Sequence, residues 1–224
     1  MLNLKDDNGT IIKVNFGKGF LNIKQSFVFQ VKDRISGEIK NEVVGKVCFE
    51  FGSYTSAESK KLKETIHYFM GLEDLSYLAE ILKTGRIFKM CQDAKAENAY
   101  GSGFEALAGT SSSKQLKIQA GSDPDKFFIK ALEGPGEKTE TGMMAPKYNE
   151  ASADKKIIVP VTKRQLITIG LSLERAIRYF DIWNAMGSVV ENVEKMKYKG
   201  PQEAHGMQHA APFKPEEIPF EERY

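Results

Sequence analysis

Cysteine is scarce in this 224-residue chain: Cys48 and Cys91 are the only two, and neither sits in a metal or redox spacing. That excludes a disulfide framework and fits two reduced thiols in a cytosolic protein. No stretch approaches eighteen apolar residues, so no membrane-spanning helix is expected. The start, MLNLKDDNG, lacks a basic segment followed by an apolar one, so no secretory signal is read. The expectation is a soluble, cytoplasmic protein.

Catalytic motifs are equally thin. The segment Gly134-Pro-Gly-Glu-Lys138-Thr139 superficially resembles a phosphate loop. That motif needs Gly directly before Lys and another five residues earlier, and Glu137 and Leu132 or Ala131 fill those places. Asp125 with Asp154 and Lys156 resembles the Asp…Asp-x-Lys metal site of many nucleases. There the second motif ends a hydrophobic strand, whereas here the apolar run 157–161 follows it. His205 and His209 have the spacing of a metal pair on a helix, but Gly206 lies between them in a segment without periodicity. His67 has no Cys or Asp partner in view. No catalytic residue, metal or cofactor is assigned, and the expectation is a binding protein rather than an enzyme.

Charge of one sign is also missing in bulk: 32 Lys and Arg face 30 Asp and Glu, a formal +2. The distribution is uneven. From residue 200 onward Glu203, Glu216, Glu217, Glu221 and Glu222 face only Lys214 and Arg223, which leaves about −3 on the tail and about +5 on the body.

What the chain has in quantity is alternation. Ile12, Val14 and Phe16; Phe27, Phe29 and Val31; and Val47, Phe49 and Phe51 each recur at period 2, the pattern of half-buried antiparallel strands. Leu62, Ile66 and Phe69 then recur at i, i+4 and i+7 and predict a helix capped by Ser56 and broken at Gly71. Leu75, Leu78 and Leu82 predict a second one over 72–84. Residues 93–103 read as a linker. Strand signals return at Leu116, Ile118 and Ala120, over 126–132 and over 157–161. The Gly-, Pro- and Lys-rich stretch 134–154 between the last two reads as a long mobile loop on a hairpin. Thr162 caps the longest helix, with Leu166, Ile169, Leu173, Ile177 and Phe180 on one face and Trp183 extending it.

Leu62-Lys-Glu-Thr-Ile-His-Tyr-Phe69 and Leu173-Glu-Arg-Ala-Ile-Arg-Tyr-Phe180 share Leu, Ile, Tyr and Phe at identical offsets. With strands before each, this predicts an internal β-β-β-β-α duplication. The expected fold is α+β: an antiparallel sheet with two such halves, about 1–92 and 103–199, packed by amphipathic helices. A disordered acidic tail over 200–224 follows a strand-rich body over 1–199.

If Leu21 and Ile23 face the core, the other parity carries Lys18, Phe20, Asn22 and Lys24. If Phe127, Ile129 and Ala131 face it, Lys126, Phe128 and Lys130 lie outside. An aromatic between lysines on a sheet's solvent face suits single-stranded nucleic acid, with lysines following phosphates and rings stacking on bases. Lys13, Lys117, Lys138, Lys147, Tyr148, Lys155 and Lys156 would extend the path, and the two stripes are expected at corresponding positions of the two halves. The bland alternative is a packed ring flanked by solubilising lysines.

In the tail, Glu216-Glu217-Ile218-Pro219-Phe220 resembles the acidic tip of bacterial single-stranded-DNA-binding proteins, where acids precede Ile-Pro-Phe. In that family the Phe is the last residue; here Glu221 to Tyr224 follow it. The resemblance implies a docking peptide, with Ile and Phe filling an apolar pocket and the acids meeting a basic rim. The body's order of elements resembles the Whirly and PC4 class of single-stranded-DNA binders, whose curved sheets display basic and aromatic residues and whose helices build oligomers. These resemblances imply sequence-independent binding of single-stranded DNA (RNA remaining open) in replication or recombination. They also imply self-association through the 166–183 helix face and recruitment of partner proteins by the tail. A phage or mobile-element origin, acting in the host cytoplasm, fits the combination. The rival readings are a strand-annealing protein, a metal-dependent nuclease using Asp125, Asp154 and Lys156, and a protein-interaction scaffold.

Overall fold

The computed structural model describes residues 10–28, 31–32, 39–40, 44–56, 61–99, 101–109, 111–140 and 144–198. Side chains are described within these except at 26–28, 31–32, 39–40, 44–45 and 182–198. Residues 1–181 form one compact unit and 182–224 a second. The fold set out below is that of the first.

The alternating segments become strands β1 (Thr10–Phe16), β2 (Gly19–Val28) and β5 (Val44–Tyr54), with a short hairpin of β3 (Val31–Lys32) and β4 (Ile39–Lys40) between the last two. Strand β6 (Leu62–Gly71) completes a four-stranded antiparallel sheet in the order β1-β2-β5-β6. Helices α1 (Leu72–Lys83) and α2 (Arg86–Glu97) follow. Gly85 makes their sharp junction at φ +73°, left-handed backbone that glycine adopts without a Cβ clash.

The second half repeats the plan with β7 (Phe104–Ala108), β8 (Ser113–Ala120), β9 (Lys126–Gly134) and β12 (Lys155–Thr162), ordered β12-β9-β8-β7 and antiparallel throughout. Its inserted hairpin, β10 (Gly136–Lys138) with β11 (Met144–Pro146), lies between the third and fourth strands rather than the second and third. Helix α3 (Lys163–Tyr198) closes the sequence of elements. The fold is α+β, with four antiparallel strands followed by helix, twice over.

One core serves both sheets. Leu21, Ile23, Val47, Phe49 and Phe51 from the first meet Leu116, Ile118, Phe127, Ile129 and Ala131 from the second in a single cluster. The expected parities therefore hold, because burying one face of each strand fixes which residues point in. Helix α1 adds Leu75, Leu78, Ile81 and Leu82, and α2 adds Ile87 and Cys91. Helix α3 starts on a capping box: Thr162 Oγ1 accepts from the Gln165 backbone N–H at 3.2 Å while Gln165 Oε1 accepts from the Thr162 N–H at 2.8 Å.

Four expectations fail. Residues 62–69 form strand β6, not a helix. Ile66, Tyr68 and Met70 point inward opposite Phe51, Phe49 and Val47, and the Phe49 and Tyr68 rings meet edge to face at 6.4 Å. The eight-residue match to 173–180 is therefore a coincidence between a strand and a helix, although the order of elements does repeat. The stretch 93–103 is not all linker, since α2 continues to Glu97. Residues 134–154 do join a hairpin, β9 with β12, but are no long loop, since they carry the β10–β11 hairpin and a turn tied to the second sheet. Finally, Leu166, Ile169, Leu173 and Phe180 are sealed into the monomer's own core, so that face of α3 is not free for self-association.

Candidate nucleic-acid interface

The outer face of the first sheet is built in rows by the strand register. Lys13, Asn22, Glu50 and His67 lie side by side across β1, β2, β5 and β6. Asn15, Phe20, Gly52 and Thr65 form the next row, and Thr10, Lys24, Cys48 and Phe69 flank it on the other side. Phe20 lies on Gly52 so closely that a Cβ there would sit 2.3 Å from its ring. Tyr54 tilts against the same ring at 5.7 Å. Lys13 and, in the β1–β2 turn, Lys18 are exposed and have no ion pair among the described residues. Phe69 is 45% exposed on this face. Sequence reasoning missed it, because the helical reading put it in the core; the alternation of Ile66, Tyr68 and Met70 would have placed it outside.

Glu50 organises the middle of the face. Lys24 Nζ is 2.7 Å from its carboxylate, Asn22 Nδ2 donates at 2.9 Å, and His67 Nε2 lies 3.4 Å away. Burial alone would raise the Glu50 carboxyl, but the hydrogen bonds from Lys24 and Asn22 outweigh it and hold it below its ordinary value. Lys24 is thus partly spent on an internal anion. Burial, with the Glu50 charge second, pushes the Cys48 thiol up to about 11, and burial pushes Cys91 up to about 11. Both thiols stay protonated near neutrality and are poor nucleophiles.

The outer face of the second sheet is more closed. Lys126 is well exposed, with Asp123 at 3.7 Å. Phe128 is half-buried between Gln119 and Pro160, its cross-strand neighbours. Lys117 is paired with Glu105 at 3.1 Å. Lys130 departs from the expected solvent-facing stripe: it is buried and holds Glu150 at 2.8 Å. Lys156 meets the same carboxylate at 3.2 Å. Lys155 has the opposite parity, on the Ile157 face, and pairs with Glu133 at 3.2 Å. Lys147 is exposed but paired with Glu137 at 2.9 Å. Tyr148 is no free stacking platform, since its ring covers Gly134 and its hydroxyl donates to the Ser113 carbonyl at 3.0 Å.

The two lysine–aromatic stripes also do not correspond. Phe20 is on the second strand of its sheet and Phe128 on the third of the other. The structure brings Lys13, Lys18, Phe20 and Lys24 together and leaves Lys117, Lys126, Phe128, Lys130 and Lys156 on a separate sheet. The docking residues Glu216, Glu217, Ile218, Pro219 and Phe220 lie outside the described residues, as do His205 and His209.

The nuclease constellation is not assembled. Asp125 precedes Lys126 and Asp154 precedes Lys155, and the antiparallel register pairs Lys126 with Thr162 and Lys155 with Glu133. The two aspartates therefore sit at opposite ends of the sheet, about 25 Å apart at about 3.4 Å per residue. Asp125 pairs instead with Lys163 at 3.1 Å. Among the described residues no group of three His, Cys, Asp or Glu is placed to hold a metal ion, and no helix is long and apolar enough to cross a membrane.

No family model matches this chain, and no curated protein does. Among solved structures it is similar to the plant transcriptional regulator PBF-2, at 15% identity and a TM-score of 0.48 over 80% of this chain and 86% of that one. It is also similar to WHY3 from Arabidopsis thaliana, at 13% identity and a TM-score of 0.48 over 82% and 95% of the two chains. WHY1 from Arabidopsis thaliana is similar at 14% identity and a TM-score of 0.49 over 88% and 96%. Likeness at this level does not assign a function, which rests on the geometry above.

Proposed function

We propose that this chain binds single-stranded DNA without reading its sequence, through the outer face of the first sheet, and acts as a binding protein rather than an enzyme. The observation that carries the reading is the combination on that face of the Phe20–Tyr54 pair and exposed Phe69 with Lys13 and Lys18, cations free of ion pairs among the described residues. Rings accept any base by stacking, and free lysines neutralise phosphates; both are indifferent to sequence. A wall of carboxylate-paired lysines would not attract a polyanion in this way.

Within this reading the protein serves replication or recombination in the cytoplasm, that of the host for a phage protein. The tail residues Glu216, Glu217, Ile218, Pro219 and Phe220 recruit partner proteins, and several copies assemble on one strand. Self-association uses Tyr77, Leu171 and Tyr179, large apolar side chains left exposed on α1 and α3 among the described residues, in place of the sealed Leu166 face.

The test is a gel shift with short oligo-dT at low and high salt. Retardation that fades as salt rises supports the proposal, because lysine–phosphate contacts release counterions. Absence of binding at low salt, or a complex indifferent to salt, refutes it. Removing residues 216–224 should leave DNA affinity unchanged or raised, and a large loss refutes the role given to the tail.

A further inference from the structure

Lys117 and Lys130 stand directly opposite each other on β8 and β9. Lys156 lies on the same face of β12, one cross-strand pair along, opposite Leu132. Like charges at opposed positions repel, so this row requires anions. Lys117 finds one inside the sheet, in its own cross-strand partner Glu105. Lys130 and Lys156 take theirs from outside it. Their anion is Glu150, in the connection from β11 to β12. Lys130 Nζ donates to both Glu150 oxygens, at 2.8 and 2.9 Å, and Lys156 Nζ lies 3.2 Å from one of them. Two acidic oxygens bridging two ammoniums is also the arrangement available to the two non-bridging oxygens of a phosphodiester.

The segment that brings Glu150 there has a shape of its own. Asn149 Oδ1 accepts from the backbone N–H groups of Ala151 and Ser152 and from the Ser152 hydroxyl, so the turn is held by local bonds. It is tied to the sheet by the Glu150 ion pairs and by Tyr148, whose hydroxyl donates to the Ser113 carbonyl. With the turn in place, the Lys130 side chain is 9% exposed.

We infer that Lys130 and Lys156 form a phosphate subsite for a nucleic-acid strand, and that Glu150 occupies it as an internal stand-in on a strap, residues 147–152, which a bound strand displaces. This rests on the nucleic-acid reading above. Exchanging carboxylate for phosphate on the same two ammoniums is close to even in charge, so the strap lowers affinity rather than abolishing it. It makes occupation of the second sheet conditional on a strand already held by the first.

The experiment compares full-length wild type with Glu150→Gln by fluorescence anisotropy on labelled oligo-dT across a salt series. Freeing two lysines should tighten binding about fivefold or more at low salt. Its log–log salt slope should stay close to that of wild type, because displacing the strap leaves the same phosphate contacts in both complexes. Adding Lys130→Gln to Glu150→Gln should remove one of those contacts and reduce the slope by about 0.7. Tyr148→Phe removes a tether and leaves the charges alone, so it should tighten binding with the slope little changed. If wild type binds and folded Glu150→Gln binds no better, the strap is overturned while the function stands. If Glu150→Gln fails to fold, unchanged or weaker binding by Tyr148→Phe overturns it. If no protein in the series binds, strap and function fall together.

Discussion

Phe20 is packed and available at once. Its ring rests on Gly52 and tilts against Tyr54, while the residue as a whole is only half-buried. A base stacked on such a ring gains about 1–3 kcal/mol, so Phe20→Ala should weaken oligo-dT binding about 5- to 150-fold in anisotropy titrations. Gly52→Ala separates position from presence. Its methyl would fall 2.3 Å from the Phe20 ring, forcing the ring aside without removing it, and a loss of similar size is expected. Affinity unchanged in a cooperatively melting Gly52→Ala would show that the ring's seat is irrelevant to binding. The same scale governs acid stability. Glu50, Glu133 and Glu150 are each raised by burial, but hydrogen bonds from Lys24 and Asn22, from Ser112 and Lys155, and from Lys130 and Lys156 respectively hold them below the ordinary value. A carboxyl lowered on folding stabilises the native state above its unfolded pKa of about 4.3, and that contribution is lost as pH falls through the folded value. Urea midpoints should stay level from neutrality down to about pH 5 and drop below it. Glu133→Gln should lower the neutral midpoint and shrink the acid drop; an undiminished drop would remove Glu133 from the account.

Among the elements, β6 explains where the sequence misled. Leu62 and Ile66 are four apart, a spacing shared by a helical face and by a strand face, where four is twice the period of two. Phe69 tipped the reading towards helix, but the β-branched and aromatic run Thr65, Ile66, Tyr68 and Phe69 favours a strand, and its partners on β5 decide the matter. Parity arguments succeeded at Leu21, Ile23, Phe127, Ile129 and Ala131 because one buried face admits no slip in register. Lys130 and Lys155 were misjudged for another reason: a lysine's sequence neighbours do not show which distant carboxylate will cover it. Helix α3 was legible from its periodicity and its Thr162 cap, yet its contact with α1 was not. At Gly170 a Cβ would meet the Lys83 backbone nitrogen at 2.5 Å and Leu82 Cβ at 2.7 Å, a crossing only glycine permits. Gly170→Ala weighs about 1 kcal/mol of gained helix propensity against about 1–3 kcal/mol of overpacking. Backbone atoms cannot yield as a flexible side chain does, so the clash wins. The variant should lower the midpoint of thermal unfolding by a few degrees, and a rise would show that the two helices can separate at no cost.

For the molecule as a whole, the two sheets share a plan but not a surface chemistry. The first exposes rings and lysines free of described ion partners; the second has its cations matched to Glu105, Glu150 and Asp123. The +5 inferred for the body from sequence therefore overstates what a polyanion meets, and the difference is measurable. On the outer faces of the two sheets, the described cations most open to a phosphate in the resting state are Lys13, Lys18 and the loosely paired Lys126. Three contacts at about 0.7 each contribute about −2 to the log–log salt slope per protomer. If the first sheet is the interface, Lys13→Gln with Lys18→Gln should reduce that slope by about 1.4, whereas Lys117→Gln, which removes a cation already neutralised within the sheet, should leave it nearly unchanged. The reverse pattern would move the interface to the second sheet. Equal effects from all three would mean that the strand follows net charge alone and that the arrangement of rings and free lysines around Phe20 has no part in holding it.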